Sequence, residues 1–455
     1  MESSSTKKRI LILGGGFAGA YAALQLQKEL RGAADIEVLL VAQENFVLFT
    51  PMLHEVAGSD AAATDVVQPL RKMLRHTNVL IGDIESIDLE KKQVNVRQTD
   101  AVHHRELTYD HLVLALGSVS NFYHTPGIEE HALTMKTLGD ALAIRNRAID
   151  ALELADGEPD ENLRKAMMTV VAVGGGFAGV ETVGAVNDLM RSALKFYNNL
   201  SEDMLRIVLV DAGKMILPEL GEGLGRYSET QLGRRGVEIH LNTAVKGYDG
   251  KEVVLGDGTR IATNMIIWTA GITPVPILVN LPCAQSRGHV VANEYLQVPS
   301  WPGLWALGDC AQVPDLTNPG KFCPPTAQHA TRQAPIVAQN IVATIRGGAL
   351  KPFKFKTLGL LATVGSHTGV AEIMGFHFSG LIAWAMWRAI YLSKLPGLQK
   401  KVRVALDWTL DLFFSKDIVQ LRALPSPSQL GVGHRPAVLA NEKPSPTAEP
   451  RGKIA

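Results

Sequence analysis

The hexapeptide GGGFAG stands twice in this chain, at Gly14–Gly19 and at Gly174–Gly179. Each copy lies directly behind a β-branched apolar run and directly ahead of an alanine-rich stretch, in RILILGGGFAGAYAALQL and TVVAVGGGFAGVETVGAV. A strand, a glycine turn and a helix are the setting in which G-x-G-x-x-G carries meaning. The first glycine (Gly14, Gly174) permits the tight turn, the second (Gly16, Gly176) lets backbone approach a pyrophosphate, and the third (Gly19, Gly179) lets helix pack closely on strand. The phosphates then rest on a helix N-terminus. One match is weak evidence, but two identical matches 160 positions apart, from Gly14 to Gly174, predict two dinucleotide sites.

The repeat extends beyond the glycines. NVLIGDIESIDLEKKQVNV and a strand ending HLVLALGS follow the first copy; VEIHLNTAVKGYDGKEVVLGDGT and a strand ending MIIWTAG follow the second. Gly117 and Gly271 close these units 154 positions apart, so a whole domain is duplicated. Strand Arg9–Leu13, helix Ala18–Leu30 and strand Glu37–Val41 are the expected opening βαβ unit, and strands Thr169–Val173 and Arg206–Val210 belong to the second. The polar stretch Leu138–Lys165, interrupted by DGEPDEN, reads as a helical connection between them. The expected fold is α/β, with two Rossmann-like dinucleotide-binding domains and C-terminal amphipathic helices.

Charge excludes one class of partner. Lys+Arg and Asp+Glu both number 45 in 455 residues, so no basic field argues for nucleic acid. Three cysteines, Cys283, Cys310 and Cys323, are too few for a disulfide scaffold and fit a reducing compartment. The polar start MESSSTKKR carries no apolar leader. No His/Cys cluster has metal-ligand spacing, and no metal is expected.

Asp211 ends the second strand of the second unit, where an acid bonds the adenosine ribose 2′-OH and repels a 2′-phosphate, so this unit reads as an NADH site. In the first unit Ala42 occupies that place, and Glu44 is the nearest carboxylate. Two nucleotides in one chain suggest a hydride relay from nicotinamide to a flavin. Gly308-Asp309-Cys310, a small residue followed by an acid at the end of a short strand, suits a flavin's ribityl chain.

The order GGGFAG, LVLALGS, GGGFAGVE, IVLVDAG, IIWTAG, LWALGDC and PPTAQHATRQA resembles the type II NADH:quinone oxidoreductases, within the two-dinucleotide-domain flavoproteins, from about Arg9 to about Ser415. The stretch FVLFTPML near Phe46, GVE at Gly179–Glu181 and the PPTAQ helix start carry the resemblance most specifically. It implies that Gly14, Gly16, Phe17, Gly19, Glu44, Gly117, Gly308, Asp309 and Ala327 bind FAD, and that Gly174, Gly176, Gly179, Asp211 and Gly271 bind NADH. It implies catalytic roles for Glu181, as a proton-delivering acid, and for Gln328, beside the flavin and a quinone. The domains would be 1–120 and 291–350 for FAD, 121–290 for NADH, 351–433 for membrane association, and 434–455 as a disordered tail. Arg332 stands where the family's helix commonly has glutamine; its fixed charge would stabilise a quinone oxyanion or point to solvent. The absence of any cysteine before Cys283 argues against disulfide and sulfide:quinone reductases, and leaves Cys310 and Cys323 as buried small hydrophobes.

From Gly380, GLIAWAMWRAIYL is too short to span a bilayer and contains Arg388. The next helix has Leu398, Val402, Ala405, Leu406 and Phe413 on one face and Lys400, Arg403, Asp407 and Asp411 on the other. With Trp384, Trp387, Tyr391 and Trp408 nearby, the pair reads as an interfacial anchor on the cytoplasmic face of a membrane. The alternatives are docking on the chain's own core and a homodimer contact. For the function, the alternatives to quinone reduction are an NAD(P)H-dependent reductase of a soluble ferredoxin- or rubredoxin-type carrier, and a redox-sensing binding protein without turnover.

Overall fold

The computed structural model describes residues 7–98, 102–410 and 413–420; the expected tail, 434–455, and Asp411 lie outside the described residues. The strand of the first fingerprint, Lys8–Leu13, lies in a seven-stranded sheet ordered Leu304–Ala306, His111–Leu114, Lys8–Leu13, Ile36–Ala42, Asn78–Asp88, Gln93–Gln98 and His104–Thr108. The first five run parallel, and the last two are joined through antiparallel pairings. Ile10, Leu11, Ile12 and Leu13 are wholly buried, which is why this strand reads as an unbroken apolar run: a central parallel strand is covered on both faces. Leu304–Ala306 joins the sheet from beyond the second unit, with Leu304 opposite Leu112, so the first domain is discontinuous. The helix Phe17–Glu29 packs along Ala327–Arg346, which binds the returning segment to the first fingerprint.

The second unit has an all-parallel sheet ordered Leu133–Thr134, Met265–Trp268, Thr169–Val173, Arg206–Val210 and Val237–His240. The fold class is the one that the duplicated fingerprint predicts. Just after the closing glycines, Ser118–Ser120 and Ile272–Pro274 pair antiparallel and tie the two units together. Gly117 and Gly271 enter these strands with φ of +70° and +79°, a region that disfavours residues bearing a β-carbon.

The connection 138–165 is not a single polar element. Leu138–Gly157 starts with a capping box between Thr137 and Asp140, and Glu161–Met167 starts on an Asp160 cap. Ala141, Ile144, Ala148 and Leu152 are wholly buried at helical spacing, so the first helix is a core element packed against the short helix Leu53–Ala57. Its polar composition belongs to its outer face.

After the sheet of Gly359–Thr363, Gly369–Ile373 and Phe376–Ser379 come the helices Gly380–Lys394 and Leu398–Leu410. Trp387 is fully buried and packs on His54, Tyr391 and Trp408, with ring centroids 5.3, 4.7 and 6.2 Å away. The second helix has the two faces expected of it, but its charged side meets the protein. Lys400 and Arg403 reach the buried Asp65 at 3.5 and 3.9 Å, beside buried Val404 and Trp408. Leu398, Val402 and Leu406 are 77%, 52% and 58% exposed, so docking on the chain's own core accounts for Val404 and Trp408 but not for this stripe. Among the described residues no helix is long and apolar enough to cross a membrane. Trp387→Ala is expected to cost about 3–5 kcal/mol in denaturant unfolding, whereas Leu406→Ala should stay within about 0.5 kcal/mol.

Candidate functional site

The two glycine cradles are built alike. A β-carbon on Gly19 would stand 1.9 Å from the Gly14 carbonyl oxygen, and one on Gly179 would stand 1.8 Å from that of Gly174. Gly14 and Gly174 themselves take φ of +111° and +113°. At Gly16 and Gly176, by contrast, a β-carbon would meet nothing within 4 Å. The backbone is thus closed where helix must touch strand and open where a phosphate must approach.

A cavity of about 1170 Å³ runs from the first cradle toward the second unit. Gly14, Gly16, Phe17, Glu44, Gly117, Gly308, Asp309, Ala327 and Gln328 line it from the first domain, and Glu181 and Gly271 from the second. Gly19, Gly174, Gly176, Gly179 and Asp211 are not in its wall. Gly19 and Gly179 act by close packing. Asp211 sits at its strand end, with one carboxylate oxygen accepting from the Gly175 amide at 2.5 Å and the other from Gly213 at 2.6 Å. In the first unit the equivalent space is filled by Ala42, whose Cβ lies 2.6 Å from where a β-carbon on Gly15 would stand. Glu44 is exposed at the cavity wall.

Asp309 is held by a short network: the Ser118 hydroxyl donates to its Oδ2 at 2.9 Å, and Lys136 Nζ donates to Ser118 Oγ at 3.1 Å. Burial lowers the Lys136 pKa, opposed by Asp309 and Asp140. Gly308, with φ of +71°, donates its amide to Gln333 Oε1 at 2.8 Å. The helix Ala327–Arg346 points its N-terminus, capped by Thr326, into the cavity and brings partial positive charge there. Gln328 donates from Nε2 to the Gly359 carbonyl at 2.8 Å, while its Oε1 is buried with no partner among the described residues. A bound donor would satisfy that oxygen.

Glu181, one turn into its helix, is 9% exposed. Burial pushes its pKa up to about 8, although the Thr363 amide donates to Oε1 at 3.3 Å. His54 Nδ1 lies 3.5 Å from Oε2. Burial thus favours the protonated form of Glu181 at the cavity wall, an arrangement suited to proton delivery. Arg332 lines the cavity too, with its guanidinium 5.5 Å from the Phe355 ring centroid.

Sequence reasoning missed His54, Lys136, Thr363, Tyr391 and Lys394. Tyr391 and Lys394 reach the cavity from the Gly380–Lys394 helix, for which the sequence offered a membrane, the chain's own core or a homodimer contact but no place at the site. A signal for His54 was present in TPMLHEVAG, where two titratable residues interrupt an otherwise apolar turn. Cys283, Cys310 and Cys323 are free; Cys310 is buried, its pKa raised to about 11 by burial, whereas Cys323 is half-buried rather than buried. No group of three or more His, Cys, Asp or Glu among the described residues could hold a metal ion.

Residues 8–334 match the pyridine nucleotide-disulphide oxidoreductase family, and residues 358–417 match the NDH2 C-terminal domain. A type II NADH:quinone oxidoreductase of Mycobacterium tuberculosis is 31% identical over 420 residues, covering 89% of this chain and 88% of that protein. The demethylphylloquinone reductase of Synechocystis is 29% identical, covering 89% and 96%. In fold, the NDH2 of Plasmodium falciparum solved in complex with NADH superposes with a TM-score of 0.84 over 91% of this chain and all of that one, at 20% identity. The chain belongs to the pyridine nucleotide-disulphide oxidoreductase family and, within it, to the type II NADH:quinone oxidoreductases.

Proposed function

We propose that this protein is a flavoenzyme that takes a hydride from NADH onto FAD and delivers two electrons to a membrane quinone, without pumping protons. The observation that carries the reading is the single cavity in which the first glycine cradle, the Ala327 helix N-terminus and the protonated Glu181 converge. Its residues fit FAD: an open backbone at Gly16, the Ser118-tethered Asp309, and the unpartnered Gln328 Oε1. When bound, the flavin supplies two-electron acceptance from a nicotinamide and electron delivery to a quinone.

The chain's own part is to bind, orient and supply a proton. Gly14, Gly16, Gly19 and Gly117 form the FAD cradle with Phe17, Glu44, Gly308, Asp309 and Ala327; Gly174, Gly176, Gly179, Asp211 and Gly271 receive NADH. Confinement of donor and acceptor in one cavity supplies proximity and orientation. Gln328 and Glu181 stand at its wall, and Glu181 holds a proton for the reduced quinone. Both half-reactions are completed in one place, which supports a non-pumping enzyme. The outward stripe of Leu398, Val402 and Leu406 supports peripheral attachment to a membrane, from whose cytoplasmic face NADH would be reached. Homodimerisation remains the alternative use of that stripe.

Anaerobic NADH should bleach the flavin absorbance of the FAD-loaded protein, and a short-chain quinone should restore it. Because Glu181 donates only while protonated, reoxidation should be pH-independent below about 8 and fall above it. Glu181→Gln should lower it by roughly 10²-fold and abolish that inflection. No bleaching would remove the enzyme reading, and bleaching without recovery would turn it toward a protein carrier.

Asp211→Arg should shift the NADPH/NADH preference by roughly tenfold, or about 1.4 kcal/mol, in steady-state kinetics. Unchanged selectivity would overturn the ribose contact. Val402→Glu with Leu406→Glu should move the protein from the vesicle-bound to the soluble fraction in a liposome sedimentation assay, with flavin content retained. Persistent co-sedimentation would count against the anchor.

A further inference from the structure

Behind the wall of the large cavity lies a small polar void of about 20 Å³ that the proposed reaction has not used. It has room for one water. Glu55, Asp60, Asp188, Ser366 and Arg388 line it, and among the described residues only His54 lines both this void and the large cavity. The Asp60 and Asp188 side chains are 16% and 13% exposed, so the void's far rim reaches the surface.

We propose that His54 is a proton relay through this wall, passing protons from the void and Glu55 to Glu181. The inference rests on the functional reading above. NADH, a quinone and one proton yield NAD⁺ and a quinol; the hydride accounts for two electrons and one hydrogen, and the remaining proton must come from solvent at every turnover. With nucleotides and quinone filling the large cavity, the wall behind Glu181 offers that proton a separate route.

The geometry suits this task. His54 turns Nδ1 toward Glu181 Oε2 at 3.5 Å and Nε2 toward Glu55 Oε1 at 3.9 Å. Nε2 also lies 3.0 Å from the Thr363 hydroxyl, which can donate or accept and so suits either tautomer of the ring. Burial, reinforced by Lys416, holds the His54 pKa down at about 3, so the imidazole is neutral and can take a proton at one nitrogen while releasing one from the other. Glu55 accepts from Trp408 Nε1 at 2.8 Å, and its pKa stands at about 7, raised by burial and Asp60 against the pull of Arg388 and Lys416. It can exchange a proton near neutrality. Of the other charges, Asp60 pairs with Lys416 at 2.6 Å and Asp188 with Arg235 at 2.8 Å, while the Arg388 guanidinium lies 4.1 and 4.7 Å from the ring centroids of Trp384 and Trp408.

The test uses the FAD-loaded full chain, with His54→Phe and Glu55→Gln; the latter keeps an acceptor for Trp408. Stopped-flow reduction by NADH and reoxidation by a short-chain quinone are followed in H₂O and D₂O. Hydrogen–deuterium exchange of the Glu181 carboxyl is followed separately by its infrared C=O band, without NADH or quinone. The relay requires reoxidation to slow at least about tenfold with a larger solvent isotope effect, reduction by NADH to stay within about twofold, and carboxyl exchange to slow. Wild-type reoxidation and exchange in both variants would overturn it, as would equal slowing of both half-reactions, which marks structural damage. If the unmodified protein were not reoxidised by quinone, the functional reading would fall and the relay to quinone with it. Exchange data identify that case separately, because they need neither substrate.

Discussion

Two carbonyl oxygens govern the arrangement of this protein. Those of Gly14 and Gly174 occupy the points where a side chain on Gly19 or Gly179 would begin, at 1.9 and 1.8 Å. Each fingerprint helix is thereby pressed onto the strand before it, and its amide end is aimed along a fixed line. Applied twice in one chain, and joined by the short pairing of Ser118–Ser120 with Ile272–Pro274, this contact fixes both helices, and the first turn of each, at Phe17 and Ala18 and at Phe177 and Ala178, lines one cavity. Glu181 comes to that cavity because it lies two residues beyond Gly179 on the same helix.

The C-terminal helices complete the wall. Phe17 packs on Phe49 at 5.9 Å and Phe49 on Tyr391 at 6.1 Å, and Tyr391 continues into Trp387, His54 and Trp408. An aromatic ladder therefore runs from the first fingerprint to the helix that carries the exposed apolar stripe. It also buries His54, Glu55 and Glu181, and desolvation is what raises both carboxyl pKa values and lowers that of the imidazole. One packing cluster thus sets both attachment of the C-terminus and protonation at the site.

Much of this was legible in the sequence because glycine geometry is local. Turn, cradle and strand-end acid lie within a few dozen residues, and the periodicity of Arg9–Leu13 and Thr169–Val173 marks buried parallel strands without reference to the rest of the chain. Glu181 was singled out only through the resemblance that GVE carries, two residues beyond Gly179. His54, Thr363 and Tyr391 were not, since their meeting joins segments separated by some three hundred positions through side-chain packing that leaves no periodic trace. The 138–165 connection is helical and interrupted as expected, but a count of its polar residues hides the buried face of Ala141, Ile144, Ala148 and Leu152. The outer helix is instructive in the other direction. Its two faces were visible, but which one meets the protein depends on Asp65, a buried acid whose partners lie more than three hundred residues away.

The two halves, alike in their glycines, begin from different entropic positions. The Asp211 carboxylate is already fixed by the amides of Gly175 and Gly213, so its rotamer freedom was lost when the domain folded, and under the proposed assignment a ribose arriving there would need to order only itself. Ala42 leaves the first half with no such preset acceptor. Its nearest carboxylate, the exposed Glu44, would have to be immobilised on binding at a cost of about 0.5–1.5 kcal/mol. Under the assignment proposed above, retention in the first half would rest on the extent of the contact surface along the cavity, whereas recognition in the second could be sharp at one point and still allow the ligand to leave.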